Sequence, residues 1–295
     1  MKKLIALILI AALTLGALSG CVAGKKVMLF VEDAQSDYAK LLWAGFSKQA
    51  KKMGMKPILS TITEEQAIEY TVYDIWSEDI KTHDPAVLVV PYISDSTVYS
   101  LFTEANKPLV AIDPSGFSGA STTHSVYGAT STELARMAAE RLIEMELPIS
   151  GRFRLLYNKV DEAVNETFTA CLEQAGIYNL EATPLSGRAS EATLLNSFSE
   201  DTVATYNASG YDTETTGLSN LILCGATAKH LNALQNDEAA AVLCRNHYEI
   251  GIQAAKACAG AIRGKEVTSV TVAPLFITAN GPEENGAAYW LELLA

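Results

Sequence analysis

The sequence predicts an α/β protein built from two doubly wound parallel-sheet lobes, and three observations predict it. Apolar strand-like runs such as VMLFVED, AVLVVPYI and PLVAID alternate with amphipathic helical stretches along nearly the whole chain. Those runs are apolar at successive positions, the pattern of strands buried under helices on both faces. The alternation comes in two sets of similar size, the second starting near Ala129, which fits two sheets rather than one.

The chain opens MKKLIALILIAALTLGALSGC. Lys2 and Lys3 make a positive start, Leu4 to Ala17 is almost wholly apolar, and Leu18-Ser19-Gly20 leads into Cys21. The run is shorter than a spanning helix requires, and small residues before a cut site mark processing. This ending resembles the lipobox of bacterial lipoproteins. The resemblance implies that residues 1–20 are a signal peptide and that a diacylglycerol is attached to the Cys21 sulfur. Two acyl chains anchor stably, each buried methylene adding about 0.8 kcal/mol. Residues 21–26 would then be a lipidated linker. The remaining chain would lie outside the cytoplasm, lipid-anchored to the cell membrane in the periplasm or at the outer surface. An uncleaved N-terminal anchor is the alternative.

After the linker, VMLFVED reads as a buried strand, and SDYAKLLWAGFSKQAKKMG as a helix with Leu42, Phe46, Ala50 and Met53 on one face and its stop at Gly54. KPILST is the next strand, followed by a helix from Glu64 to about Lys81. AVLVVPYI, the helical SDSTVYSLFTEAN and PLVAID complete the first set. In the second set TELARMAAERLIEME is helical, FRLLYN a strand, and DEAVNETFTACLEQAG a helix ending at Gly176. LEATPL, LILCG and AAAVLC are further strands, separated by helical stretches around 190–199 and 227–235. The polar, turn-rich ATYNASGYDTETTGLSN reads as a surface insertion. EIGIQAAKACAGAIRGK is a helix ending near Gly264, and VTSVTVAPLFIT is the last strand.

Composition narrows the function. The formal charge is −12, and loss of Lys2 and Lys3 makes the mature chain more acidic still. No basic cluster offsets this balance, so nucleic acid is not an expected partner. Cys171, Cys224, Cys244 and Cys258 are widely spaced with no CxxC, and the histidines at 83, 124, 230 and 247 are isolated. No metal site is expected from them. The cysteines read as buried free thiols, with disulfides open to an exported chain. The chain has no GxSxG, P-loop or HExxH, so neither enzymatic activity nor a cofactor is expected.

Five stretches carry a family resemblance: SDYAKLLWAGFSKQAKKMG, AVLVVPYISDS, NKPLVAID, NHYEIGIQAAKACAGAIRGKEV and APLFITANG. Their order and spacing resemble the type I periplasmic substrate-binding proteins of ABC transporters, especially the ribose- and galactose-binding sugar group. The resemblance implies two lobes joined by a three-strand hinge, with a ligand cleft between them. The N-terminal lobe would be 27–125 plus 245–268, and the C-terminal lobe 126–244 plus 269–295.

Ligands of open α/β sheets bind outside the carboxyl ends of the strands. The first strand ends at Glu32-Asp33 with Asp37-Tyr38 behind it, the third at Pro91-Tyr92 with Asp95 close behind, and the fourth at Asp113. An aromatic face stacks on a sugar ring, and carboxylates and amides pair with its hydroxyls. Asp33, Tyr38, Tyr92, Asp95 and Asp113 are therefore the first-lobe candidates. The resemblance puts Tyr38 at the family's stacking aromatic and Asp95 at its loop aspartate. Tyr38 packing under its helix, Asp95 capping a helix and Asp113 ordering the DPSG turn are the structural alternatives.

The second lobe departs from the family pattern. Val164 stands where the family has an arginine, Gly225-Ala226 replaces an "ND" pair, and a "GFD" aspartate has no clear counterpart. Arg245 falls at the family's hinge glutamine, next to Asn246, and its planar donor fork is the expected replacement. A salt bridge to the other lobe is the alternative for Arg245. The implied function is a monomeric extracytoplasmic receptor for a carbohydrate or similar small polar ligand, delivering it to an ABC permease by lobe closure. A sensing receptor docking on a membrane kinase is the second reading.

Overall fold

The computed structural model describes residues 22–91, 98–113, 124–144, 152–157, 162–178, 180–184, 202–207, 221–266, 268–282 and 285–295. The expected signal peptide, Cys21, Tyr92, Asp95 and the helix expected around 190–199 lie outside these residues. Two compact units form. One comprises residues up to Gly128 together with His247–Val272, the other Ala129–Asn246 together with Ala273–Ala295.

The chain starts with β1 (Lys26–Phe30), α1 (Asp37–Lys52), β2 (Lys56–Ser60), α2 (Glu64–Glu69) and α3 (Val72–His83). It continues with β3 (Val87–Val90), α4 (Tyr99–Glu104), β4 (Leu109–Ile112) and β5 (His124–Tyr127). The second unit takes α5 (Ser131–Glu144), β6 (Arg152–Tyr157), α6 (Glu162–Gln174), β7 (Leu180–Pro184) and β8 (Thr202–Asn207). Then come β9 (Leu221–Cys224), α7 (Ala228–Gln235) and β10 (Ala241–Cys244). Helix α8 (His247–Ile262) and β11 (Thr268–Thr271) return to the first unit, while β12 (Leu275–Ile277) and α9 (Ala287–Leu294) close the second.

The first sheet has the order β11-β5-β4-β3-β1-β2, with every neighbouring pair parallel. Its central strands β1, β3 and β4 are buried on both faces, and β1 shows how. Val27 and Leu29 face a core made with Leu42 and Phe46 of α1 and Ile250 and Ala254 of α8. Met28 and Phe30 face the opposite core, with Ile75 and Trp76 of α3 and Phe102 of α4. Each such side chain taken fully out of water contributes about 1.5–3 kcal/mol. The continuous apolar run is thus a requirement of two-sided burial.

The second sheet is wound in the same sense but is mixed. Its order is β12-β10-β9-β8-β6-β7, with β8 antiparallel to β6 and β9, and β12 antiparallel to β10. Residues Ala204–Asn207, expected in a surface insertion, form the end of β8 and pair with β6. Turn-rich composition downstream masked a short strand whose Thr, Val and Tyr have high β propensity.

Three further boundaries differ from expectation. The helix expected from Glu64 to Lys81 is two helices, because Thr71 accepts from the Asp74 N–H and Asp74 returns the bond, starting a new helix after extended Tyr70. Strand β5 was not expected, since its short HSVY places buried His124 and Ser125 among the apolar residues. VTSVTVAPLFIT splits into β11 and β12, which belong to different sheets, so the chain leaves the first unit at Val272.

Helices α1 and α8 pack with their backbones almost touching. A Cβ built on Gly45 would lie 1.9 Å from the Tyr248 carbonyl oxygen, and one on Gly251 would lie 2.2 Å from that of Leu42. Glycine inside a helix costs about 1 kcal/mol relative to alanine, and here the close approach demands it. Lys48 on α1 also donates to the Tyr248 hydroxyl at 2.8 Å. Among the described residues no helix is long and apolar enough to cross a membrane.

Two predictions come from this packing. Gly251→Ala should destabilise the fold by about 1–3 kcal/mol through overpacking against backbone, read as a lowered urea midpoint. Cys244 and Cys258 are free and buried, and burial pushes the Cys244 thiol up to about 12 and Cys258 higher. Neither should be alkylated by iodoacetamide in the folded protein at pH 8, and both should react in denaturant, as peptide mass spectrometry would read.

Candidate functional site

In a doubly wound sheet the connections from adjacent strands diverge at one point of the carboxyl edge and leave a crevice there. The order β2-β1-β3 puts that point of the first sheet between β1 and β3. A cavity of about 190 Å³ sits beside it. Val31, Glu32 and Asp33 line it where the chain leaves β1, Ser36, Tyr38 and Ala39 where α1 begins. Trp76 of α3 and Pro91, directly after β3, complete the lining.

Local hydrogen bonds shape the wall. Asp33 Oδ1 accepts from the Gln35 N–H at 2.8 Å, and the Ser36 hydroxyl donates to the Asp33 carbonyl at 2.8 Å. Ser36 Oγ also accepts from the Ala39 N–H at 3.3 Å, which caps α1. The turn thereby sets Tyr38 on the first helical turn. Its half-buried ring meets that of His247, the first residue of α8, edge to face at a centroid distance of 4.7 Å and 84°. Glu32 and Asp33 are exposed and lend the mouth negative charge and acceptor oxygens.

Two of the seven ligand candidates, Asp33 and Tyr38, therefore line one cavity. Tyr92 and Asp95 lie outside the described residues. Asp113 and Arg245 each hydrogen-bond to main-chain atoms. Asp113 sits in the left-handed region at φ 49°, and its Oδ1 accepts from the Gly128 N–H at 2.8 Å. Its own N–H donates to the Val126 carbonyl at 2.9 Å. In the second unit Arg245 donates from Nε to the Ala129 carbonyl at 2.7 Å and from Nη2 to the Ser131 hydroxyl at 3.0 Å. Asn246 ends that unit's long segment immediately before α8.

The contacts of Asp113 and Arg245 hold the residues on either side of the first passage between the units. The third passage is tied in as well, because the Val272 N–H donates to the Tyr127 carbonyl at 2.8 Å. Val164 lies on α6. Gly225, at φ 96°, ends β9, and its carbonyl meets His230 Nδ1 at 2.6 Å.

Ser36, Pro91 and Trp76 were not among the residues picked from sequence. Trp76 reads as core because Val72, Ile75 and Ile80 share its helical face. Its place beside the cavity follows from the sheet order alone.

The second unit has a larger groove, about 440 Å³, lined by Met137, Glu140, Arg141 and Glu144 of α5 and by Phe276, Thr278, Pro282 and Asn285. Its charges pair with neighbours on the same helix, Arg136 with Glu140 and Arg141 with Glu144. The smaller cavity, with an aromatic ring and carboxylates at a strand crevice, has the chemistry a polar ring-shaped ligand needs. Among the described residues no three His, Cys, Asp or Glu side chains cluster to hold a metal ion.

No family model and no curated protein matches the chain in sequence. Solved structures do match its fold. An arabinose-binding protein, AraP, from Geobacillus stearothermophilus is similar at a TM-score of 0.64 and 13% identity, over 86% of this chain and 97% of that one. A periplasmic ribose ABC transporter protein from Conexibacter woesei is similar at 0.63 and 17%, over 87% of this chain and 93% of that one. An ABC transporter solute-binding protein from Bacillus halodurans, solved with myo-inositol, is similar at 0.57 and 15%, over 92% and 98%. The two α/β units, the three passages between them and these likenesses agree: the chain has the fold of the type I periplasmic binding proteins.

Proposed function

We propose that this protein is a lipid-anchored extracytoplasmic solute-binding protein that captures a sugar or similar polyol and delivers it to an ABC permease. The observation that carries the reading is the cavity at the β1/β3 crevice, where the Tyr38 ring and the Glu32 and Asp33 carboxylates meet. An aromatic ring covers the apolar face of a sugar, and the carboxylates accept from its hydroxyls. The structural neighbours' names, which give arabinose, ribose and myo-inositol, support a ligand of this class.

In this reading the two compact units are the lobes, with Asp33, Tyr38, Tyr92, Asp95 and Asn246 contributing to the ligand contacts. Asp113 and Arg245 belong to the same set of ligand-binding residues, and their hydrogen bonds to Gly128 and Ala129 would hold them in place. A ligand touching both lobes only when they are closed stabilises the closed form by its difference in affinity. The permease reads that form. The lipid on Cys21 would keep the receptor near its partner, and cleavage before Cys21 would release residues 1–20.

The test is thermal unfolding of the full chain in mild detergent with D-ribose, L-arabinose, D-galactose, D-glucose and myo-inositol. A ligand at about 100 times its Kd adds roughly 2.7 kcal/mol of stability. At least one of these should raise Tm, and Tyr38→Ala should abolish most of the rise. No shift with any of them overturns the sugar-receptor reading. Palmitate labelling at Cys21, lost in Cys21→Ser, tests the anchor separately.

A further inference from the structure

Trp76 is fully buried, and its indole Nε1–H has no hydrogen-bond partner. A buried donor left unpaired costs about 1–3 kcal/mol, and most buried tryptophans avoid that cost by finding an acceptor. Trp76 packs against Phe30 at a centroid distance of 5.2 Å and against Phe102 at 6.0 Å. The buried part of its core is otherwise Met28 and aliphatic side chains such as Ile75 and Leu88, and the hydroxyls of Tyr73 and Tyr99 at its partly buried margin do not bond to Nε1. Trp76 also lines the cavity, together with Glu32, Asp33 and Tyr38, which carry polar atoms. Thr61, at the end of β2 on the same carboxyl edge, holds another buried oxygen without a partner. Unmet hydrogen-bonding demand thus gathers around the exit of β1.

We propose that Trp76 is a specificity-determining residue of this cavity, its indole N–H donating to one hydroxyl oxygen of the bound sugar or polyol. This rests on the sugar-receptor reading above and adds to it a named donor. Indole nitrogen donates and cannot accept. The group it selects must therefore present a lone pair, and a ligand with hydrogen in place of that hydroxyl leaves the N–H unpaired. A site built around such a donor discriminates strongly against the deoxy analogue.

The chain has three tryptophans, Trp43, Trp76 and Trp290, so indole ¹⁵N labelling gives three side-chain N–H resonances. W76F identifies the one belonging to Trp76. The full chain in mild detergent is titrated with the panel of D-ribose, L-arabinose, D-galactose, D-glucose and myo-inositol, with thermal unfolding run in parallel. Binding of a panel member should move the Trp76 indole proton downfield. W76F, which keeps an aromatic ring in the core, should bind that ligand about tenfold more weakly, the equivalent of about 1.4 kcal/mol.

Among the monodeoxy analogues of the bound ligand, one should bind the wild-type protein about tenfold less well than its parent and bind W76F equally well. A ligand that raises Tm while the Trp76 resonance stays in place overturns the Trp76 assignment alone. Equal discrimination among the deoxy analogues in wild type and W76F overturns it as well. Failure of every panel member to raise Tm overturns the receptor reading and the Trp76 assignment with it.

Discussion

The crossing of α1 and α8 is the constraint on which the first unit depends. These helices lie far apart in sequence and belong together only because Gly45 and Gly251 let a backbone carbonyl from the other helix into the space a Cβ would fill. The contact fixes α8, and with it the return of the chain after Asn246, onto the same face of the sheet as α1. The first residues of both helices then meet, and the Tyr38 ring lies against His247. A packing requirement in mid-helix thus determines where the cavity's aromatic wall stands. The Lys48–Tyr248 hydrogen bond reinforces the same pairing on its outer side.

The two sheets solve one problem differently. The first is wholly parallel, and its winding opens a crevice between β1 and β3, beside which the cavity lies. The second has the same strand order, but β8 is reversed between β6 and β9. A reversed strand presents its amino end at the edge where its neighbours present carboxyl ends. The carboxyl edge of the second sheet therefore differs from that of the first at β8.

The apolar strands and the two-fold repeat of α/β segments were legible in the sequence because two-sided burial writes continuous runs such as VMLF and VLVV. What could not be read were features set by pairing or capping. HSVY forms a central strand although two of its four residues are polar, since burial follows from its neighbours β4 and β11. Thr71 divides a continuous helical pattern by a reciprocal cap. At the site, residue type announced the chemistry but not the partner. Asp33 and Tyr38 stand beside the cavity, the carboxylate of Asp113 accepts from the Gly128 N–H, and the guanidinium of Arg245 donates to the Ala129 carbonyl and the Ser131 hydroxyl. Trp76 was hidden for the opposite reason, because its helical face is indistinguishable from core until the strand order is known.

The bonds at the passages have a mechanical consequence. Asp113 grips the nitrogen of Gly128 from one unit, and Arg245 grips the carbonyl of Ala129 from the other. Between those two grips the chain has only the torsions of Gly128 and its link to Ala129 in which to turn, and glycine tolerates a wider range of them than any other residue. Val272 is laced to Tyr127 within the first unit and Arg245 to Ala129 within the second, so each segment beside a passage is held by its own unit.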